Sequence, residues 1–314
     1  MVNNLHIHIS LLFNLFIIYG HLPATFIHSV VIPLIKNKNG DISYLKNYRA
    51  IAISTVFSKL LEGVLEKFLH STNFIDNYQF GFKRGFSTGL CTSVFKQTVD
   101  YYINRGSHVF ACFVDFRKAF DNVDYWKLCL KLLNDGVNAL IVRLLAAWCC
   151  NQICCVRWRS TFSTGFHMSN GTRQGGVLFP YLFTRYIREM LGAIVDSGIG
   201  CLIVGMIINV LAYADDLVLT APSWKALQLL LGILDDQAAD IDMHCTKRYC
   251  SLVQYGLSHY QKMDCQQLTY IHNCLCLYCY VCLIIFRYFW CKYVIKRSVQ
   301  FSSVYCNTDK KLSA

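Results

Sequence analysis

Two acidic points stand out in a chain that otherwise carries little charge. Asp115 ends an apolar run, Phe113-Val114-Asp115-Phe116, and Asp215-Asp216 sit on a tight turn between the apolar runs Val210–Tyr213 and Leu217–Thr220. A buried carboxylate is costly unless it is paired or bound to metal. Two adjacent carboxylates repel, and a cation is their natural compensation. Hard oxygen ligands suit Mg²⁺, which keeps waters and binds one or two carboxylates together with substrate phosphates. Two such ions, about 3.5–4 Å apart, can clamp the attacking and leaving oxygens of a phosphoryl transfer. A bare Asp-Asp pair also serves as the polar tip of a hairpin, so spacing alone leaves both readings open.

These carboxylates need elements to hold them. The run His108–Phe113 reads as a buried strand, and the two runs flanking Ala214-Asp215-Asp216 read as strand, turn, strand. Around them the pattern predicts helices. Residues 54–69 place Val56, Leu60, Leu61, Val64, Leu65 and Phe68 at helical spacing, with a cap at Ser54 or Thr55. Further helices are expected over 90–104, from Tyr125 to Leu133, over 181–194, and over 224–241, where Leu227, Leu230, Leu231 and Leu234 share one side. VVIPLIKNK (30–38) reads as a strand ending in a basic turn, and Asn39-Gly40-Asp41 is a strong turn signal. QFGFKRGFS (79–87) is a glycine-punctuated basic loop.

Composition narrows the class. Thirty Lys and Arg against 19 Asp and Glu leave a net charge of +11, which favours a polyanionic partner, nucleic acid or an anionic membrane surface, without choosing between them. With 54% hydrophobic and 16% charged residues, a disordered chain is excluded. Seventeen cysteines fall in clumps rather than on an even framework, and no secretory signal precedes them, so most read as reduced intracellular thiols. Cys274, Cys276, Cys279 and Cys282, with His272, have zinc-like spacing but only apolar and aromatic residues between them, which argues against a zinc knuckle.

Three apolar stretches bear on membranes. Residues 9–19 are too short for a span of about 20 residues; Leu11, Leu12, Leu15, Phe16 and Ile18 suit a mostly buried helix. Residues 197–214 are broken by Gly198, Gly200 and Gly205 and suit buried strands. Residues 268–285 make the best spanning candidate, weakened by His272 and Asn273, and the rest of the chain argues against a membrane protein.

Five strings occur in one order: VIPLIKNKNGD…NYRAIAIS…SKLLE, QFGFKRGFST, FVDFRKAFDNVDYWKL, NGTRQGGVLFPYLF and AYADDLVL. From Val31 to Lys247 this series resembles the reverse transcriptases of non-LTR, LINE-type retrotransposons. The resemblance implies an α+β fold, the fingers and palm of a right-hand polymerase, with the palm an antiparallel sheet packed on helices. It divides the chain into an apolar N-terminal extension (1–29), fingers (30–105), palm (106–250) with a fingers-like return near 160–180, and an atypical Cys/Tyr-rich tail (251–314). It implies an RNA template, a DNA primer, dNTPs and two Mg²⁺ ions, for which Mn²⁺ can substitute.

The resemblance also implies roles. Asp115 becomes a metal ligand with the Phe116 carbonyl as a second contact; Asp215 ligates metal, with Asp216 on or near the second ion. Phe120 sits where the family places an aromatic gate against the sugar 2′ position, although core packing explains a phenylalanine equally well. Asp121 supports the loop through hydrogen bonds. Gln174 and Gly175 lie beneath the incoming nucleotide, and Arg173 meets phosphate. Lys36 and Arg49 hold the triphosphate, a task suited to the planar guanidinium. Lys83 and Arg84, among Phe80, Phe82 and Phe86, form a template-contacting loop. Tyr213 packs under the primer end, and Lys247 lies near the family's proton donor to pyrophosphate.

Two positions depart from the pattern. Ala50 replaces the proline usual after NYR, and Phe179 replaces a small residue before Pro180, where a bulky ring would crowd the template floor. No string resembles a thumb after Cys250 or an endonuclease before the fingers. The alternative readings are therefore an inactive, truncated retrotransposon remnant that binds nucleic acid at most, its Cys/Tyr-rich tail coming from a shifted reading frame, or an interaction protein anchored to a membrane by that tail. Residence in the nucleus would follow from retrotransposition, though no basic localisation run marks it. Nothing in the residues addresses oligomeric state.

Overall fold

The structure, a computed structural model, describes residues 4–70, 76–83, 85–172, 175–254 and 257–263. Along the chain the elements are helices α1 (Leu5–Tyr19) and α2 (Ala24–Ile27), strands β1 (His28–Ile35) and β2 (Tyr48–Ile53), helices α3 (Val56–His70) and α4 (Thr88–Ile103), and strand β3 (His108–Phe116). Then come α5 (Tyr125–Asn134), α6 (Ala139–Cys150), β4 (Ile153–Trp158), β5 (Thr161–Phe162), β6 (Phe166–His167), α7 (Phe179–Tyr186) and α8 (Arg188–Asp196). The hairpin β7 (Cys201–Ile203) and β8 (Met206–Ile208) precedes β9 (Val210–Tyr213), β10 (Asp216–Ala221), α9 (Trp224–Asp240), β11 (Cys245–Gln254) and β12 (Leu257–Met263). Helices and largely antiparallel sheets make this an α+β chain.

Two compact units are present. The first holds residues 1–77, 116–193 and 234–245; the second holds 78–115, 194–233 and, among the described residues, 246–254 and 257–263.

In the first unit β1 is the hub of a sheet ordered β2-β1-β4-β5, with β6 also on β4. The β1–β2 pairing is antiparallel and sets Leu34 opposite Arg49 and Pro33 opposite Ala50. The basic turn that joins these strands is tied by Asn47, whose Oδ1 accepts the Asn37 N–H at 3.0 Å, and Gly40 N–H reaches the Asn37 carbonyl at 3.1 Å. Helix α3 starts where its cap was expected: Thr55 Oγ1 accepts the Ser58 N–H at 3.2 Å, satisfying a donor that the first turn leaves open. Leu61, Leu65 and Leu69 on that helix are fully buried. A largely buried ion network ties the helical part together, with Arg188 3.2 Å from Asp76 and 2.9 Å from Asp135.

The second unit is built on a sheet ordered β12-β11-β3-β10-β9. Its core joins Val109 and Ala111 of β3, Leu211 of β9 and Val218 of β10 to Cys91, Phe95 and Val99 of α4. Cys91, Phe95 and Val99, four residues apart, are the stripe of α4 that covers the sheet. Ser87 caps this helix, its side chain accepting the Leu90 N–H at 3.2 Å.

Three expectations need correction. Helix α1 forms, but of its apolar residues only Phe13 and Phe16 are buried; Leu11, Leu12, Leu15 and Ile18 are exposed. A helix that is apolar all round buries only the face that finds a partner, here the one where Phe16 and Phe13 meet the Phe26 ring at 5.0 and 6.3 Å. The stretch expected as buried strands is half so: β9 is buried at Val210, Leu211 and Ala212, whereas β7 and β8 make a two-stranded hairpin with Leu202, Val204 and Met206 in solvent. The single helix expected over 181–194 is two, α7 and α8, broken at Ile187, although the bonds from Ile187 N to Phe183 O and from Leu191 N to Ile187 O bridge the break. The 268–285 stretch and the Cys274–Cys282 cluster lie outside the described residues. Among those described, no helix is long and apolar enough to cross a membrane.

Candidate active site

The second unit gathers the carboxylates. Strand β10 pairs antiparallel with β3, and the register sets Asp216 directly opposite Asp115. On its other side β10 pairs with β9, and Asp216 lies opposite Tyr213. Side chains directly opposite across an antiparallel pair share a face. By alternation this is the face of Phe113 and Val218, so the carboxylates end the apolar row that packs on α4. Asp215 occupies the turn between β9 and β10. Asp216 is almost wholly buried, Asp115 and Asp215 partly so.

The resemblance implied Asp215 as a metal ligand with Asp216 on or near the second ion; the register sets Asp216 opposite Asp115, with Asp215 on the adjoining turn. Among the described residues no three His, Cys, Asp or Glu side chains form a ready-made metal cage. Mg²⁺ does not need one, because it takes one or two carboxylates and completes its shell with water and substrate phosphate. Two opposed carboxylates at a strand end fit that donor chemistry, and a cation there would offset the repulsion between like charges facing each other.

The hairpin is held from one side by the start of the loop to which the resemblance gives template contact. Residues 78–80 run beside β9, with Ala212 N donating to Tyr78 O at 2.8 Å and Phe80 N to Ala212 O at 2.7 Å. Gln79 is buried, and its side chain bonds the backbone of Ala214. Its amide was missed because a glutamine in a loop has no spacing signal. Of the aromatics here, Phe80 is core, Phe86 packs 5.5 Å from it, and Phe82 is exposed. Lys83 places its ammonium 4.4 Å from the Phe86 ring, a cation–π contact that fixes its direction. Arg84 lies outside the described residues.

The first unit carries the other candidates. Lys36 and Arg49 belong to the β1–β2 hairpin, where the Lys36 N–H donates to the Asn47 carbonyl at 2.7 Å. Phe120 is half-buried with its ring 4.3 Å from Phe183, and its carbonyl accepts the Thr172 N–H at 2.7 Å. Part of that ring is therefore packed, and part is available. Desolvation raises the Asp121 carboxyl above its ordinary value, against the opposing charges of Lys118 and Lys36, so the Lys36 charge reaches the loop of Phe120. Gly171 crosses that loop closely: a Cβ there would stand 2.9 Å from Asp121 Cα.

Gly175, at φ +119°, lies against β2, where a Cβ would meet the Ala52 carbonyl oxygen at 2.5 Å. Only glycine tolerates both that angle and that approach. Next to it the Glu62 carboxylate, fully buried on α3, accepts the N–H groups of Val177 and Leu178. Phe179 does not rise from this floor. Its ring is buried, directly under Gly176, so the expected crowding is turned inward. Arg173 and Gln174 lie outside the described residues, as does the side chain of Lys247, whose backbone is in β11.

Comparison with known proteins places the chain in a family. The chain is 29% identical over 213 residues to the Retrovirus-related Pol polyprotein from type-1 retrotransposable element R2 of Popillia japonica, an alignment covering 65% of this chain and 29% of that protein. Against the Probable RNA-directed DNA polymerase from transposon X-element of Drosophila melanogaster it is 29% identical over 150 residues, 46% of this chain and 16% of the relative. The chain thus spans less than a third of these curated relatives. Among solved structures, apo telomerase from Candida tropicalis, truncated from its C-terminal domain, superposes with a TM-score of 0.52 at 10% identity, covering 80% of this chain and 56% of that one, which speaks to the fold alone. The family model described as reverse transcriptase (RNA-dependent DNA polymerase) matches residues 35–291. That match runs through both β11 and β12 and beyond them, and over most of its length this chain belongs to the reverse transcriptase family, with relatives among non-LTR retrotransposons.

Proposed function

We propose that this chain catalyses RNA-directed DNA synthesis, joining dNTPs to a primer 3′-OH on an RNA template. The reading rests on one observation above others: Asp115 and Asp216 are brought into direct register at the end of β3 and β10, with Asp215 on the adjoining turn. Asp115, Asp215 and Asp216, with the Phe116 carbonyl, would hold Mg²⁺, or Mn²⁺ in its place. Bound there, the ions would acidify the primer hydroxyl and neutralise the departing pyrophosphate.

The remaining work falls to the chain's own groups. Lys36 and Arg49 grip the triphosphate of the dNTP. The exposed part of the Phe120 ring bars a 2′-hydroxyl, and Gln174 and Gly175 support the nucleotide from below. Lys83, Arg84 and Arg173 neutralise template phosphates, the exposed Phe82 offers a face for stacking, and Tyr213 lies under the primer end. Lys247 supplies a proton to pyrophosphate.

The test is primer extension by the purified chain on an RNA template with Mg²⁺, beside Asp215→Ala. Extension by the wild type and its loss in the variant support the proposal. Extension by both, or by neither, overturns it; the second result leaves a folded remnant.

A further inference from the structure

Ala214 has φ +59°, a left-handed conformation in which the Cβ of an L residue crowds its own backbone. It lies in the turn between Tyr213 and Asp216, so its dihedrals set the direction in which Asp215 and Asp216 leave the hairpin. Something must hold it there. The Gln79 side chain is 5% exposed. Its Oε1 accepts the N–H of Ala214 at 3.0 Å and that of Gly81 at 2.8 Å. Its Nε2 donates to the Ala214 carbonyl at 3.3 Å.

One amide thus grips both backbone groups of one strained residue. The orientation is fixed by chemistry, because two N–H donors require the oxygen and a carbonyl requires the NH₂. No other side chain of this size does both jobs: glutamate lacks the donor and methionine lacks both partners. Gly81 completes the clasp. A Cβ at that position would lie 3.0 Å from Ala214 Cα and closer still to Ala214 N, so only a bare backbone lets the loop approach.

We infer that Gln79 is a positioning residue, whose amide holds Ala214 in the left-handed region and thereby sets the Asp215–Asp216 hairpin for a divalent cation. This rests on the polymerase reading above for its purpose, though not for its geometry. The experiment uses the full chain as wild type, Gln79→Ala, and Gln79→Ala combined with Ala214→Gly. Hydrogen exchange at the Ala214 amide, Mn²⁺ affinity by water-proton relaxation, and primer extension are each measured.

Gln79→Ala is expected to speed exchange at Ala214 and to weaken Mn²⁺ binding, each by about tenfold, the scale of losing one or two buried hydrogen bonds. Adding Ala214→Gly is expected to recover part of the Mn²⁺ affinity, since glycine adopts positive φ without steric cost. Unchanged exchange overturns the clasp, and faster exchange with unchanged Mn²⁺ affinity overturns its role at the site. A general loss of packing would not be rescued by a glycine. If Gln79→Ala does not fold, Gln79→Met fills the same volume without hydrogen bonds and is held to the same outcomes. A wild type that binds Mn²⁺ yet extends no primer removes the polymerase reading and leaves the clasp standing.

Discussion

Asp115 and Asp216 face each other across neighbouring antiparallel strands although they lie about a hundred residues apart in the chain. Like charges directly opposite destabilise a sheet by up to about 1 kcal/mol, and a cation between them would offset that repulsion. Replacing either by asparagine keeps the shape and removes one charge. We expect Asp216→Asn to match or exceed the wild type in urea stability without metal, while primer extension falls by at least about 100-fold. A variant that loses stability together with activity would mean that the pair is structural.

Glycine substitutions separate close approach from open space. Gly81→Ala drives a methyl into the Ala214 backbone and is expected to cost roughly 1–3 kcal/mol. Gly63, inside α3, has nothing within 4 Å of where a Cβ would stand. There alanine should stabilise by about 0.5–1 kcal/mol, because the helix loses a flexible residue. Urea midpoints moving in opposite directions are the expected result.

The floor beneath Gly175 depends on Glu62 and Phe179. Removing the carboxylate by Glu62→Ala strands the N–H of buried Leu178 and the part-buried N–H of Val177, at roughly 1–3 kcal/mol. Phe179→Ser puts back the residue type the family pattern would have there. Because the ring is buried against Gly176, the change should leave a cavity and cost about 3–5 kcal/mol by analogy with phenylalanine truncation. Calorimetric unfolding of both variants checks this, and a Phe179→Ser protein as stable as the wild type would contradict it.

Thiol chemistry offers an independent check on burial. Desolvation pushes the Cys91 thiol up from 9.0 to about 12, and those of Cys129 and Cys201 to about 11. Since the thiolate is the nucleophile, iodoacetamide at pH 8 should spare these three and, among the described cysteines, modify the exposed Cys150 first, as read by peptide mass spectrometry. Folded protein then holds protons that unfolded protein releases. Stability should therefore fall as pH rises from about 9 towards 12. Cys91→Ala should flatten that alkaline decline in urea titrations.

Much of this was legible in the chain. The period of α4, the cap at Thr55, the strand ending at Asp115 and the turn at Ala214 are local matters, set by which neighbours are apolar, polar or conformationally free. The order of the five strings carried the family and, through it, the candidate carboxylates. What could not be read is who covers whom. Leu11, Leu15 and Val204 look like core by type, yet they face solvent because no other segment among the described residues covers them. Phe179 looked like an obstruction until its ring was seen to turn inward.

Local pattern thus determined β1, β3, the β9–β10 hairpin and most of the helices, and where the acidic groups stand along them, but not α6 or the strands β2, β4–β6, β11 and β12. Tertiary structure alone decided that Asp216 is the residue set against Asp115, and that Gln79 holds a backbone 135 positions away. The reason is physical: backbone preference is a property of a few adjacent residues, whereas register, burial and a side chain's hydrogen-bond partner depend on distant segments that meet only when the chain folds.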